Sequence, residues 1–176
     1  MQNSEVINTA DTVLAENYQT TPPIDVYGIA RNNGLEIIEK LFPIDQANIA
    51  GFITMQDGTG KLYVNLRDVI YRRRFTIAHE LGHWRLHREE LRSNPQRSIL
   101  FRIAIRQLNV DPTEKEANFF AANLLVPLGL LRQHRDGKTN EKLAELFLVS
   151  TEVIGYRLSL LEQDEDVQTQ ESSSGR

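Results

Sequence analysis

At 176 residues the chain is long enough for one domain with a substantial core and too short for two comfortable ones. Its net charge of −4 argues against holding nucleic acid by neutralising phosphates, and the absence of cysteine excludes disulfides, thiolate metal sites and a cysteine nucleophile, so any metal must sit on His, Asp or Glu. The N-terminal stretch has no basic start leading into an apolar run, and nowhere do about 18 apolar residues follow one another, which predicts a soluble, cytoplasmic protein.

Val6, Ile7, Ala10, Val13, Leu14 and Tyr18 recur at helical spacing, and the TTPP segment stops that first helix. IDVYGIARNNG predicts a second, short helix closed by Gly34. LEIIEK, IAGFITMQ and KLYVNL are rich in β-branched and aromatic residues and predict strands, with DGTG between the last two as a hairpin signal. From Asp68 onward the spacing is helical, over about 68–90, 96–107, 112–126, 140–148 and 150–161. Two helices, a small sheet and a helix bundle in that order predict an α+β domain covering 1–161. Residues 162–176 are acidic, then small and polar, with only Val167 to bury, which predicts a disordered tail.

The segment RFTIAHELGHWRLH carries three of the chain's four histidines. His79 and His83, four residues apart, lie about 40° apart around a helix and about 6 Å apart along it, so both imidazoles can hold one ion. Zinc suits them: it takes imidazole nitrogen, prefers four ligands and leaves one position to water in a catalytic site. Glu80 points about 100° from His79, the place of a general base beside that water rather than of a third ligand. The competing reading is an amphipathic helix with an exposed histidine face and no metal. Gly82, costly inside a helix, marks a place where backbone or substrate comes close. His87 lies about 12 Å along the helix from His79 and reads as packing or surface. His134, at a helix end, reads as a cation favoured by the helix dipole. The run Arg72, Arg73, Arg74 reads as solvated helix surface, or as a dock for an acidic partner segment.

A third ligand has to come from another element. DPTEKEANFFAANLLVP begins with helix start signals at Asp111 and Pro112, and offers Glu114 and Glu116. Glu114 shares a face with Ala117, Asn118 and Ala121, where small residues leave room for an ion, and Asn118 is placed to hydrogen-bond a ligating histidine and fix its ring. Glu116 projects about 160° away from that face. Glu114 is therefore preferred and Glu116 kept as the alternative.

KLAELFLVSTEVIGYRLSLL, Lys142 to Leu161, has the spacing of a helix-turn-helix. Its second helix offers one arginine, Arg157, among acidic and apolar residues, a poor match for meeting phosphates and base edges. Packing or partner recognition is the better use of this hairpin.

RRRFTIAHELGHWRLH, followed at a distance by EKEANFFAANLLVP, resembles the ImmA/IrrE family of zinc metallopeptidases. The resemblance covers roughly Ile24 to Leu161, with GFITMQDGTGKLYVN before the metal helix and the helical pair after it. It implies a zincin-like helical domain with a small three-stranded sheet packed on the metal-binding helix. It also implies Zn2+ held by His79, His83 and the glutamate of the pattern E-x-x-A-N, which falls on Glu114, with Glu80 as the catalytic base. By the same resemblance, the function is site-specific endoproteolysis of a helix-turn-helix repressor, in the regulation of a mobile element or stress response. A zinc-stabilised regulator that sequesters a repressor without cutting it is the rival, and direct DNA binding a weaker one. No membrane role is expected.

Overall fold

The structure is a computed structural model and describes residues 3–56, 59–93 and 111–174. The helix expected over 96–107 and the Asp57-Gly58 turn lie outside the described residues.

Helix α1, Asn3–Glu16, buries Val6, Ala10, Val13 and Leu14, the stripe its spacing announces. Asp25 opens α2, Val26–Asn32, by accepting a hydrogen bond from the Gly28 N–H at 3.0 Å, which satisfies one of the donors a helix start leaves without partners. Three strands follow: β1 Leu35–Lys40, β2 Gly51–Gln56 and β3 Thr59–Asn65. Their order in the sheet is β1-β3-β2, with β3 antiparallel to β2 and parallel to β1. The chain runs along β1, crosses to the far edge for β2 and returns as β3 between them. Leu62 on the central strand faces Ile37 on one side and Ile53 on the other, and Ile53, Leu62 and Val64 form the buried face.

Helix α3, Ile70–Leu86, lies against that face and carries the histidine segment. It is buried on nearly every side, with Ile77, Ala78, Leu81 and Trp84 inside the core. Gly60 is the reason the indole of Trp84 can lie on the sheet: a Cβ there would come within 2.9 Å of the ring. The single helix expected over 68–90 is broken at His87, and α4 runs over Arg88–Ser93. Helix α5, Pro112–Leu125, starts at Asp111, which caps the Thr113 N–H at 2.8 Å, with proline in its first turn. Then come α6, Leu128–His134, α7, Asn140–Phe147, and α8, Thr151–Ser174. One apolar cluster runs from Val6 to Leu161 through the sheet, α3 and α5. The architecture is α+β, as the element order predicts. No helix among the described residues is long and apolar enough to cross a membrane.

Two expectations change here, and a third, the packing role of the C-terminal pair, is met at Arg157. The disordered tail predicted from 162 is instead a continuation of α8 to Ser174. No glycine or proline follows Gly155 until Gly175, and Asp164 and Glu165 pair with Arg132 at 3.0 and 3.4 Å while Glu165 also meets Arg135 at 3.0 Å, tying the added turns to α6. The basic run is not a solvated patch. Arg74 is 5 % exposed and donates to the backbone oxygens of Leu148 at 3.1 Å and Ile24 at 2.7 Å, while Arg73 pairs with Glu39 at 2.8 Å, leaving Arg72 as the exposed member. Arg157, the arginine of the helix-turn-helix-like pair, turns inward: it is 2 % exposed and donates through Nε to the Val126 carbonyl at 2.9 Å, so it does not reach a phosphate.

Candidate metal centre

His79 and His83 come from the middle of α3 and Glu114 from the first turn of α5. Where the two helices cross, Gly82 lies over Ala117, one turn after Glu114, and that close approach brings the carboxylate to the histidines. One ligand atom from each of the three residues lies within 4.8 Å of the others. The two Nε2 atoms are 3.1 Å apart, and Glu114 reaches His79 Nε2 through Oε2 at 3.1 Å and His83 Nε2 through Oε1 at 3.2 Å.

These distances suit a shared ion. Two donors each about 2.0–2.1 Å from one zinc at a tetrahedral angle sit about 3.3 Å apart. The donor set, two imidazoles and one carboxylate, is one of the sets used by catalytic zinc, and it leaves the fourth position to water or substrate. Burial works to raise the pKa of the Glu114 carboxyl, but hydrogen bonds and positive charge from His79 and His83 outweigh it and hold the group well below the usual carboxylate range.

The remaining ring nitrogens have partners too. His79 Nδ1 lies 2.9 Å from Asn118 Oδ1. An amide oxygen only accepts, so Nδ1 carries a hydrogen, and the ring is held with Nε2 turned toward Glu114 and His83. This is the ring-fixing contact expected of Asn118. His83 Nδ1 meets His87 Nδ1 at 3.1 Å, and His87 Nε2 meets Glu116 Oε2 at 2.8 Å. Glu116 thus belongs to His87, whereas Glu114 belongs to the cluster. Neither partner of this second pair was legible as such. His87 is buried and hydrogen-bonded rather than surface, and Glu116, whose side chain is 15 % exposed, reaches back to α3 instead of projecting from it.

Glu80 is fully buried beside His79 in the chain. An ionised carboxylate inside a protein costs several kcal/mol, on the order of the penalty for any buried charge, unless its surroundings compensate it. His134, by contrast, sits in the last turn of α6 with its ring 6.4 Å from that of Phe147, as a helix-end residue and not part of the cluster.

Known proteins resemble this chain in sequence and in fold. The chain is 28 % identical over 138 residues to the metallopeptidase ImmA of Bacillus subtilis (strain 168), covering 73 % of this chain and 76 % of that protein. In fold it is similar to a Mycobacterium tuberculosis transcriptional regulator, with a TM-score of 0.59 at 20 % identity over 89 % of this chain; that match spans 46 % of the regulator, less than half its length. The model of the IrrE N-terminal-like domain matches residues 34–159, which takes in the sheet, both helices of the site and most of the C-terminal pair, and the chain therefore belongs to the ImmA/IrrE family of peptidases.

Proposed function

We propose that this protein is a zinc-dependent endopeptidase that cuts a helix-turn-helix repressor at a specific site, in control of a mobile element or a stress response. The observation that carries the chemistry is the cluster itself: donors of His79, His83 and Glu114 within 4.8 Å of one another, at spacings that suit one ion. His79, His83 and Glu114 would hold the metal. Zinc bound there supplies Lewis acidity, which lowers the pKa of a water toward neutrality and polarises the carbonyl under attack.

The chain's own groups do the rest. Glu80 accepts the proton of the attacking water and passes it to the leaving amine as the peptide C–N bond breaks. Its burial keeps bulk water from competing for that proton. Asn118 holds the His79 ring with Nε2 turned toward Glu114 and His83. Strand β2, at an edge of the sheet that packs on α3, can take an extended peptide as an added strand. Such a groove reads mainly backbone, so the choice of substrate falls to other surfaces.

The repressor as substrate rests on the family resemblance. Its test is incubation of the zinc-loaded protein with helix-turn-helix regulators and, separately, with casein, followed by mass spectrometry of the fragments. One preferred cut in a regulator, absent with Glu80→Gln, supports the reading. Rapid degradation of casein with no preferred site in any regulator overturns its regulatory part, and binding of a regulator with full biological effect by Glu80→Gln favours sequestration instead.

A further inference from the structure

Arg157 carries a charge that no carboxylate among the described residues touches. The residue is 2 % exposed, and its Nε donates to the Val126 carbonyl at 2.9 Å. The two terminal amino groups have no hydrogen-bond or ion-pair partner among the described residues, yet they are not sealed off from the space beside them. Burial pulls the guanidinium from 12.5 down to about 10, against the opposing pull of Tyr156 and Asp11, so Arg157 is still a cation at neutral pH. A charge taken out of water is costly unless something replaces its hydration.

The space beside it is an open cavity of about 840 Å³ between α1, α5, α6 and α8. Half-buried Ile7, Phe119, Leu128 and Leu160 form an apolar wall. Asn123 lines the cavity too, and it is 5 % exposed. Its amide nitrogen donates to the Phe119 carbonyl at 2.8 Å, which leaves Oδ1 as an acceptor with no partner among the described residues. Apolar walls with a few buried polar groups are the usual make-up of a small-molecule site, and the volume falls in the usual range. The cavity lies behind the metal cluster, since Asn123 follows Glu114 by nine residues and so sits about 180° around α5 from it.

The charges select the class of ligand. With Nε engaged, the guanidinium presents the fork of its two terminal amino groups, which matches both oxygens of a carboxylate. Asp11 and Asp164 also line the cavity. Asp164 is paired with Arg132 at 3.0 Å, whereas Asp11 is exposed and unpaired among the described residues. A dianion such as phosphate would therefore set two charges against one cation and a negative rim. A singly charged carboxylate is balanced by Arg157 alone. The wall asks for an apolar body, and Asn123 Oδ1 for an N–H or O–H near the charged end.

We propose that this cavity binds a small carboxylate with an apolar body and an N–H or O–H beside its charged end, held by Arg157 and Asn123. N-acetyl-leucine has this chemistry and serves as the probe. The site is independent of the metal cluster and of the reading of that cluster as a peptidase centre.

The test is a titration of the full chain with N-acetyl-leucine, followed by proton–nitrogen NMR of the Arg157 Nε–H and the Asn123 side-chain amide. Both signals are expected to move along one saturating curve. N-acetyl-leucinamide, which keeps the body and loses the charge, is expected to bind at least about 10-fold more weakly, because a hydrogen bond to a charged group is worth more than a neutral one. Arg157→Lys keeps the cation and loses the fork, and is expected to weaken binding by about 10-fold. Asp11→Asn removes an exposed negative charge from the rim and is expected to tighten binding by about 2- to 5-fold. If Arg157→Lys does not fold, the amide probe and Asp11→Asn carry the decision. Signals of Arg157 and Asn123 that do not move, or an amide that binds as tightly as the acid, overturn the proposal. Tighter binding of inorganic phosphate than of N-acetyl-leucine at equal ionic strength overturns the carboxylate assignment.

Discussion

Gly82 of α3 touches Ala117 of α5 so closely that a Cβ on the glycine would sit 3.2 Å from the Ala117 Cα and 3.3 Å from its carbonyl oxygen. Both of these neighbours are backbone atoms and cannot swing aside. Gly82→Ala should gain about 1 kcal/mol of helix propensity, yet lose about 1–3 kcal/mol to overpacking, because the helices must part to admit the methyl. We therefore expect a net loss of about 1 kcal/mol by urea denaturation together with weaker zinc binding. A more stable protein with unchanged affinity would show that the crossing does not set the site.

Glu114 and Glu80 should separate by what their removal costs. Glu114→Gln removes a carboxylate that faces both Nε2 atoms and should abolish stoichiometric zinc in elemental analysis. Glu80→Gln should keep the metal and lose cleavage by several orders of magnitude, since only the proton acceptor is gone. Zinc lost from Glu80→Gln and kept in Glu114→Gln would reverse the two roles.

Arg74 and Arg72 are neighbours in the basic run and should differ sharply. Arg74→Met leaves the Leu148 carbonyl without its Arg74 donor, at about 1–3 kcal/mol, while the Ile24 carbonyl keeps the Val26 N–H at 2.9 Å. A loss of about 1–3 kcal/mol is expected by thermal or chemical unfolding. Arg72→Ala breaks an exposed pair with Asp68 and should change stability by less than about 1 kcal/mol. Equal effects would show that burial of Arg74 contributes nothing.

The Tyr27 hydroxyl donates to Glu39 Oε1 at 2.8 Å, and Arg73 meets the same oxygen at 2.8 Å, joining α2, β1 and α3. Burial first, then this hydrogen bond and the charge of Glu39, push the phenol from 10.0 up to about 12. The folded state holds the proton more tightly than the unfolded chain. Its contribution is therefore whole below pH 10 and is lost as pH rises through about 12. In an ultraviolet titration one of the five tyrosines should ionise near 12, and Tyr27→Phe should remove that step. A folded wild type with no ionisation step near 12 would refute it.

Helical periodicity made the histidine pair and its neighbour Asn118 legible, because residues three and four apart must share a face. The same rule misjudged Glu116. Angle around the axis ignores where the neighbouring helix lies, and α3 crosses the first turns of α5 closely enough for both carboxylates to reach it. His87 was set aside on distance from His79, which is correct for a shared ion and silent about a partner on His83. Within the sheet, the hairpin of β2 and β3 follows from their adjacency and the turn between them. That β1 joins β3 rather than β2 does not, since local pattern leaves open which side of a hairpin a third strand takes. The ending of α8 was missed because composition alone cannot see Arg132 and Arg135 waiting on α6 for Asp164 and Glu165.

The position of β2 at the edge of the sheet has a cost for the protein in isolation. Whatever backbone groups an edge strand offers to a substrate it also offers to another copy of itself, and a short apolar strand such as GFITMQ is the kind of segment that pairs edge to edge. The concentrated, substrate-free protein should accordingly self-associate more than its net charge of −4 suggests, and a lysine in place of Thr54, whose neighbour Ile53 is on the buried face of β2, should suppress both the self-association seen by light scattering and the capture of extended peptide.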